Sequence, residues 1–168
     1  MIRKILGLSL CSFCVFFMTV IHVNAQGWYV DENNNKFYYD NENNIVVGKQ
    51  TIDGYEYYFH EDGHMQKGFI ELDGKLYLYG RSSGQLQKRG FYTIEDKTYY
   101  TDYNTGEVYR GKHTINGYEY YFHEDGHMQK GFIELDGKLY LYGRSSGQLQ
   151  KRGFYTIEDK TYYTDYNT

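Results

Sequence analysis

Residues 57–68 read "YYFHEDGHMQKG", and within them His60, Glu61 and His64 form a His-Glu-x-x-His pattern. On a helix, histidines four apart share one face and can hold zinc, with the glutamate beside the metal-bound water. The same twelve residues recur at 120–131. The chemistry needs a helix, and the surroundings oppose one. The central residues are Asp62 and Gly63, and a glycine in a helix interior costs about 1 kcal/mol. The flanking "GYEYYFH" alternates as a strand does. What remains depends on the turn. A two-residue Asp62-Gly63 loop points the two histidines to opposite faces. A three-residue Glu61-Asp62-Gly63 loop with a glycine bulge makes them cross-strand neighbours, a weak metal pair without an evident third ligand. Neither arrangement is a protease centre. Other carboxylates sit mostly in turns of repeated segments, whereas an acid–base pair needs one pocket that sets two different pKa values. No glycine-rich phosphate loop follows a strand and opens a helix. No catalytic residue, metal site or cofactor is assigned.

The elements that must position these residues repeat. Residues 48–105 and 111–168 align at an offset of 63 and differ only at Gln50/His113 and Asp53/Asn116. Each unit divides again into segments of about 21 residues, in the range of repeat arrays. The segments are 27–47, 48–67, 68–89, 90–110, 111–130, 131–152 and a truncated 153–168. Within each, apolar and polar residues alternate: Tyr55, Tyr57 and Phe59 on one face, Glu56, Tyr58 and His60 on the other. Turn pairs punctuate the chain at Asp53-Gly54, Asp62-Gly63, Asp73-Gly74, Ser83-Gly84 and Thr105-Gly106. Such a pattern reads as successive β-hairpins. One hairpin alone is marginal in water, and stacking buries its aromatic face against the next. The fold class is therefore all-β: a solenoid of tandem hairpins, with about three hairpins per turn expected from the 63-residue duplication. The final copy stops at "TDYNT" where the earlier one continues "GEVYR", so its hairpin is expected to lack the second strand.

The first 25 residues read as an export signal. "MIRK" is followed by an apolar run from Ile5 to Val23, and Val23 and Ala25 suit a cleavage site after Ala25. Both cysteines, Cys11 and Cys14, lie in this segment, so the remaining chain, 26–168, has no disulfide or thiol nucleophile. Arg3 and Lys4 are the only charged residues removed, which leaves 16 of the 18 basic residues against 22 acidic ones, a net charge of −6. That balance excludes nucleic acid as a natural partner. Thirty aromatics remain, 22 of them tyrosine. They suit a pleated, half-buried surface and offer stacking faces with polar tips.

A glycine, an aromatic, a polar stretch, Asp/Asn-Gly, then "YYF", a turn and the next glycine together resemble the cell-wall-binding repeats of Gram-positive surface proteins. The pattern is similar to choline-binding repeats, to the glucan-binding region of streptococcal glucosyltransferases and to the C-terminal repeats of clostridial toxins. The resemblance covers residues 27–168 and implies a hairpin solenoid with ligand sites between repeats. In choline-binding members a cage uses a tryptophan after the opening glycine and another before the paired tyrosines. Here the first position holds Trp28, Lys49, Phe69, Phe91, Lys112, Phe132 and Phe154. The second holds Glu56, Leu76, Thr98, Glu119, Leu139 and Thr161, with Phe37 read as the equivalent in the first copy. Most of the cage is absent, and cation–π attraction is strongest for tryptophan.

The resemblance implies a secreted, non-catalytic module that attaches multivalently to a cell-wall polymer or a glucan-like polysaccharide at the bacterial surface. The alternatives are an adhesive repeat protein contacting host protein and a fragment of a larger wall-associated enzyme or toxin. Sugar-stacking candidates are Trp28, Phe37, Tyr38, Tyr57, Tyr58, Tyr77, Tyr79, Tyr99, Tyr100, Tyr120, Tyr121, Tyr140 and Tyr142. No membrane contact is expected after signal cleavage, and self-association through the open C-terminal end is a further expectation.

Overall fold

The computed structural model describes residues 26–165. The expected signal segment lies outside them. Fourteen strands form seven antiparallel hairpins, each its own two-stranded sheet. They pair as β1 (Gly27–Val30) with β2 (Lys36–Tyr39), β3 (Gly48–Ile52) with β4 (Tyr55–Phe59), and β5 (Gly68–Leu72) with β6 (Lys75–Tyr79). Then come β7 (Gly90–Ile94) with β8 (Lys97–Thr101), β9 (Gly111–Ile115) with β10 (Tyr118–Phe122), β11 (Gly131–Leu135) with β12 (Lys138–Tyr142), and β13 (Arg152–Ile157) with β14 (Lys160–Asp165). The final hairpin thus has both strands, which corrects the expectation of a missing one. "KTYYT" supplies the strand before the chain stops. What has no described counterpart there is the segment that follows each earlier hairpin.

Turn chemistry sets the register. Asp53 and Gly54 have φ values of 52° and 80°, the left-handed pair of a two-residue turn that matches strand twist. Ile52 therefore faces Tyr55, and Gly48 faces Phe59. Glu95-Asp96 and Glu158-Asp159 make the same turn without glycine, with φ between 49° and 66°.

After each second strand the chain loops back and adds a short third segment. Phe59 bridges Met65 and Tyr79 bridges Leu86, antiparallel. This segment joins one repeat to the one before it. The amides of Met65, Leu86, Val108, Met128 and Leu149 donate to the carbonyls of Lys36, Glu56, Leu76, Thr98 and Glu119, at 2.6–2.8 Å. Each acceptor lies on the second strand of the preceding hairpin.

A second strand is thereby sandwiched. Tyr57 and Phe59 pack with Ile52 and Met65 against Tyr38 and Val46 of the first repeat, while Tyr58 meets Tyr79 of the third. In β6 both faces are covered: Leu76 and Leu78 pack with Tyr99 and Val108 of the next repeat. Tyr79 is buried to 1% exposure, and burial pushes its phenol up to about 12. The loop glycines allow the close approach. A Cβ on Gly84, at φ 72°, would stand 2.3 Å from Met65 Sδ and Cε.

Ion pairs cross the same joints, including Lys75–Glu107 at 2.9 Å, Lys97–Asp125 at 3.0 Å and Arg110–Glu71 at 3.0 Å. The effect of a following repeat is read directly from the duplication. Leu76 is 9% exposed and its twin Leu139 is 55% exposed. Val108 covers the first, and no described residue stands at the corresponding place over the second.

Candidate functional site

The His-Glu-x-x-His segment forms the three-residue loop. His60 donates its amide to the His64 carbonyl at 2.9 Å, and Gly63 donates to the His60 carbonyl at 2.9 Å. The two imidazoles stack with centroids 4.1 Å apart. Their nitrogens are directed elsewhere: His60 Nε2 lies 2.5 Å from Gln66 Oε1, and His64 Nδ1 2.5 Å from Asp62 Oδ1. His123 and His127 repeat the stack at 4.1 Å, with His127 on Asp125 and His123 on Gln129. Among the described residues no group of three His, Cys, Asp or Glu is placed to hold a metal. Burial raises the Asp125 carboxyl, but hydrogen bonds from Lys97 and His127 outweigh it and hold the group well below the usual range.

The feature that recurs at every joint is a contact between side chains of successive hairpins. The residue after each opening glycine reaches an aromatic on the second strand of the next hairpin. Ring centroids are 5.0 Å apart for Trp28–Tyr57, 4.7 Å for Phe69–Tyr99, 5.4 Å for Phe91–Tyr120 and 4.6 Å for Phe132–Tyr162. At the other two joints Lys49 Nζ lies 4.6 Å from the Tyr77 centroid, and Lys112 Nζ 4.6 Å from the Tyr140 centroid. Trp28 also meets Tyr38, its cross-strand partner, edge-on at 5.2 Å. It remains 43% exposed, so three rings cluster there around one accessible indole.

The two lysine joints open into grooves. One, of about 120 Å³, is lined by Lys49, Thr51, Glu56, Tyr57, Tyr77 and Leu86. Its duplicate, of about 190 Å³, has Lys112, Thr114, Glu119, Tyr120, Tyr140 and Leu149 in the same places. His113 takes the position of Gln50. Both hydrogen-bond a carbonyl three residues back, Arg110 and Val47 respectively, but His113 also stacks on Tyr109 at 3.8 Å. The first copy has Val46 where Tyr109 stands, so one of the two sequence differences follows its neighbour. A second duplicated groove, of about 360 and 210 Å³, lies beside Tyr92 and Tyr155. The Arg81–Glu95 pair, 2.7 Å, spans the rim of the first of these.

The sequence-predicted residues divide into three groups. Tyr57, Tyr77, Tyr99, Tyr120 and Tyr140 sit in the joints. Tyr38, Tyr58, Tyr100 and Tyr121, half-buried on the opposite face of their strands, meet the following repeat: Tyr38 and Tyr100 pack on its core, and Tyr58 and Tyr121 lie against its Tyr79 and Tyr142. Tyr79 and Tyr142 are core residues at 1% exposure, and each edges onto a groove. The structure corrects the place of Phe37. Trp28 pairs with Tyr38 and Tyr29 with Phe37, and the carbonyl that accepts from Met65 belongs to Lys36. Lys36, not Phe37, is therefore equivalent to Glu56. The longer first turn shifts the apparent count, so "FYY" superposes on "YYF" in register. Lys49, Lys112, Glu56, Glu119 and Tyr162 were not predicted as site residues. Their shared position in the repeat was the available signal.

The choline-binding repeat profile matches residues 46–91 and 109–154. The chain belongs to the choline-binding repeat family. Over 143 residues it is 38% identical to glucosyltransferase-S of Streptococcus mutans serotype c, covering 83% of this chain and 10% of that protein. It is 30% identical over 129 residues to toxin A of Clostridium novyi, covering 71% of this chain and 6% of the toxin. Choline binding protein F of Streptococcus pneumoniae superposes with a TM-score of 0.74 at 27% identity, over 84% of this chain and 46% of that one. The chain thus spans about a tenth of the length of the first of these relatives. These choline-binding repeats therefore form tandem hairpins as they do in choline binding protein F.

Proposed function

We propose that this chain is a non-catalytic carbohydrate-binding module of a secreted protein, attaching it to a cell-wall polymer or a glucan-like polysaccharide at the bacterial surface. In this reading residues 1–25 are the export signal and 26–168 the binding region. The observation that carries it is the groove built twice at an offset of 63, with a tyrosine floor and a rim of Lys, Thr and Glu. A sugar ring can lay its C–H face on tyrosine, while an ammonium donates to hydroxyls and a carboxylate or threonine accepts. The relatives favour glucan as the polymer class, since the most similar proteins include glucosyltransferases. If three hairpins make one turn, the two copies face the same side and engage one polymer together. Several weak sites on one scaffold then bind far more tightly than one.

The test is retention of the chain on insoluble α-glucan and on purified Gram-positive cell walls, with soluble oligosaccharide as competitor. Retention on one of them, reversed by its own soluble fragments, is the expected result. Absence of retention on both surfaces overturns the reading.

A further inference from the structure

Two positions distinguish the duplicated units. His113 follows Tyr109, on which it stacks. The other is Asn116, where the first unit has Asp53. Asn116 and Gly117 form the two-residue turn between β9 and β10, with φ values of 50° and 83°. Ile115 faces Tyr118, so both turn residues lie outside the ladder, and both are exposed. Among the described residues no hydrogen bond holds the Asn116 side chain or the Gly117 amide. A Cβ on Gly117 would meet nothing within 4 Å. Asn116 is the only asparagine in the sequence followed by glycine. After every other one comes a residue whose side chain crowds the backbone nitrogen, and Asn35 and Asn44 are further tied to Asp31 and Asp40. We propose that Asn116 is a site of spontaneous covalent modification, deamidated through a cyclic imide closed by Gly117.

The Gly117 nitrogen, losing its proton, bonds to Asn116 Cγ as the turn opens. The Cγ–Nδ2 bond breaks, and ammonia leaves with that proton. Water then opens the imide. Cleavage between the nitrogen and Cγ yields aspartate, and cleavage between the nitrogen and the main-chain carbon yields isoaspartate. Asp53-Gly54 reaches the same imide only by expelling water from a carboxylate, a poor electrophile, so the first unit is the slow control. The two products have opposite consequences. Aspartate reproduces the first unit, where Asp53 and Gly54 hold the same register at φ 52° and 80°. Isoaspartate routes the backbone through Cβ and adds a methylene to a turn that fits two residues. Ile115 and Tyr118 then lose their pairing. The strands they anchor carry Lys112, Thr114, Glu119 and Tyr120 of the second lysine groove. The modification does not depend on what that groove binds.

The experiment incubates the folded full chain at mildly alkaline pH, which favours loss of the amide proton, and samples it by tryptic peptide mass spectrometry. Residues 113–130 and 50–67 are released as peptides that differ only at Gln50/His113 and Asp53/Asn116, so each unit reports separately. A gain of about one dalton, the difference between an amide and an acid, should accumulate at Asn116 before any other asparagine. The product should split chromatographically into aspartate and isoaspartate forms. By NMR the isoaspartate form should lose the amide shift dispersion of residues 111–122 and keep that of 48–59. Asn116→Asp should keep both. The site assignment is overturned if another asparagine changes first, or if Asn116 stays intact while the urea-unfolded chain deamidates there. An isoaspartate form with undisturbed 111–122 shifts overturns the loss of pairing.

Discussion

Asp102 is the most heavily bonded carboxylate in the loops. It accepts from the amides of Thr105 and Asn104 at 2.8 and 2.9 Å, from the Thr105 hydroxyl at 3.0 Å and from the Tyr109 hydroxyl at 3.1 Å. These donors, the Thr105 amide first, lower its pKa from 3.8 to about 2. A folded value below the unfolded one adds stability that is fully present above 3.8 and is lost as pH falls through about 2. Asp102→Asn should therefore cost about 1–2 kcal/mol at neutral pH and should flatten the acid limb in that window. Urea unfolding across the acid range, with both proteins side by side, checks this. At this scale the sequence was partly readable. The alternation of "GYEYYFH" alone rules out a zinc helix, but the choice between a two- and a three-residue loop rests on the folded bulge itself. Nothing in "HEDGH" announces that Gln66 and Asp62 each take one imidazole nitrogen.

The hairpin is the element, and its turn is its weakest local rule. Glu95 and Asp96 both occupy left-handed backbone without glycine, a conformation unfavourable for side chains with a Cβ. Glu95 is tied to Arg81 at 2.7 Å, which gives that residue a reason to stay. Among the described residues no hydrogen bond or ion pair holds the Asp96 side chain, and Asp96→Gly is expected to stabilise the fold by roughly 0.5–1 kcal/mol, visible as a raised thermal midpoint. The opposite sign is expected at Gly84. Its Cβ would collide with Met65 at 2.3 Å and its φ is positive, so Gly84→Ala should cost at least about 2 kcal/mol by chemical denaturation. The Asp-Gly turns were legible because glycine marks them. The Glu-Asp turns were not, because their geometry is imposed by the strands on either side. The same limit explains Phe37: counting from the paired tyrosines misplaces a strand whose turn is longer, and only the hydrogen-bond register corrects it.

Across the whole molecule, stability is a property of neighbours, and the duplication offers an internal control. Leu76→Ala should cost about 2–4 kcal/mol, as a buried leucine does. Leu139→Ala, in identical local sequence but 55% exposed, should cost less than about 1 kcal/mol. Equal losses in equilibrium unfolding would contradict the stacked arrangement. The repeat, its period and its hairpins were readable because they are written in glycine and tyrosine spacing. Which face of each hairpin meets which neighbour was not, because β6 buries both of its faces and alternation alone cannot rank them. The joint hydrogen bonds also have a direction. Met65 completes the strand of Lys36, Leu86 that of Glu56, and Val108 that of Leu76, always later chain upon earlier. A ribosome delivers residues in that same order. In that order each segment, as it is made, finds the strand it completes already synthesised, and the newest hairpin is the one whose second strand still lacks its partner from the next repeat.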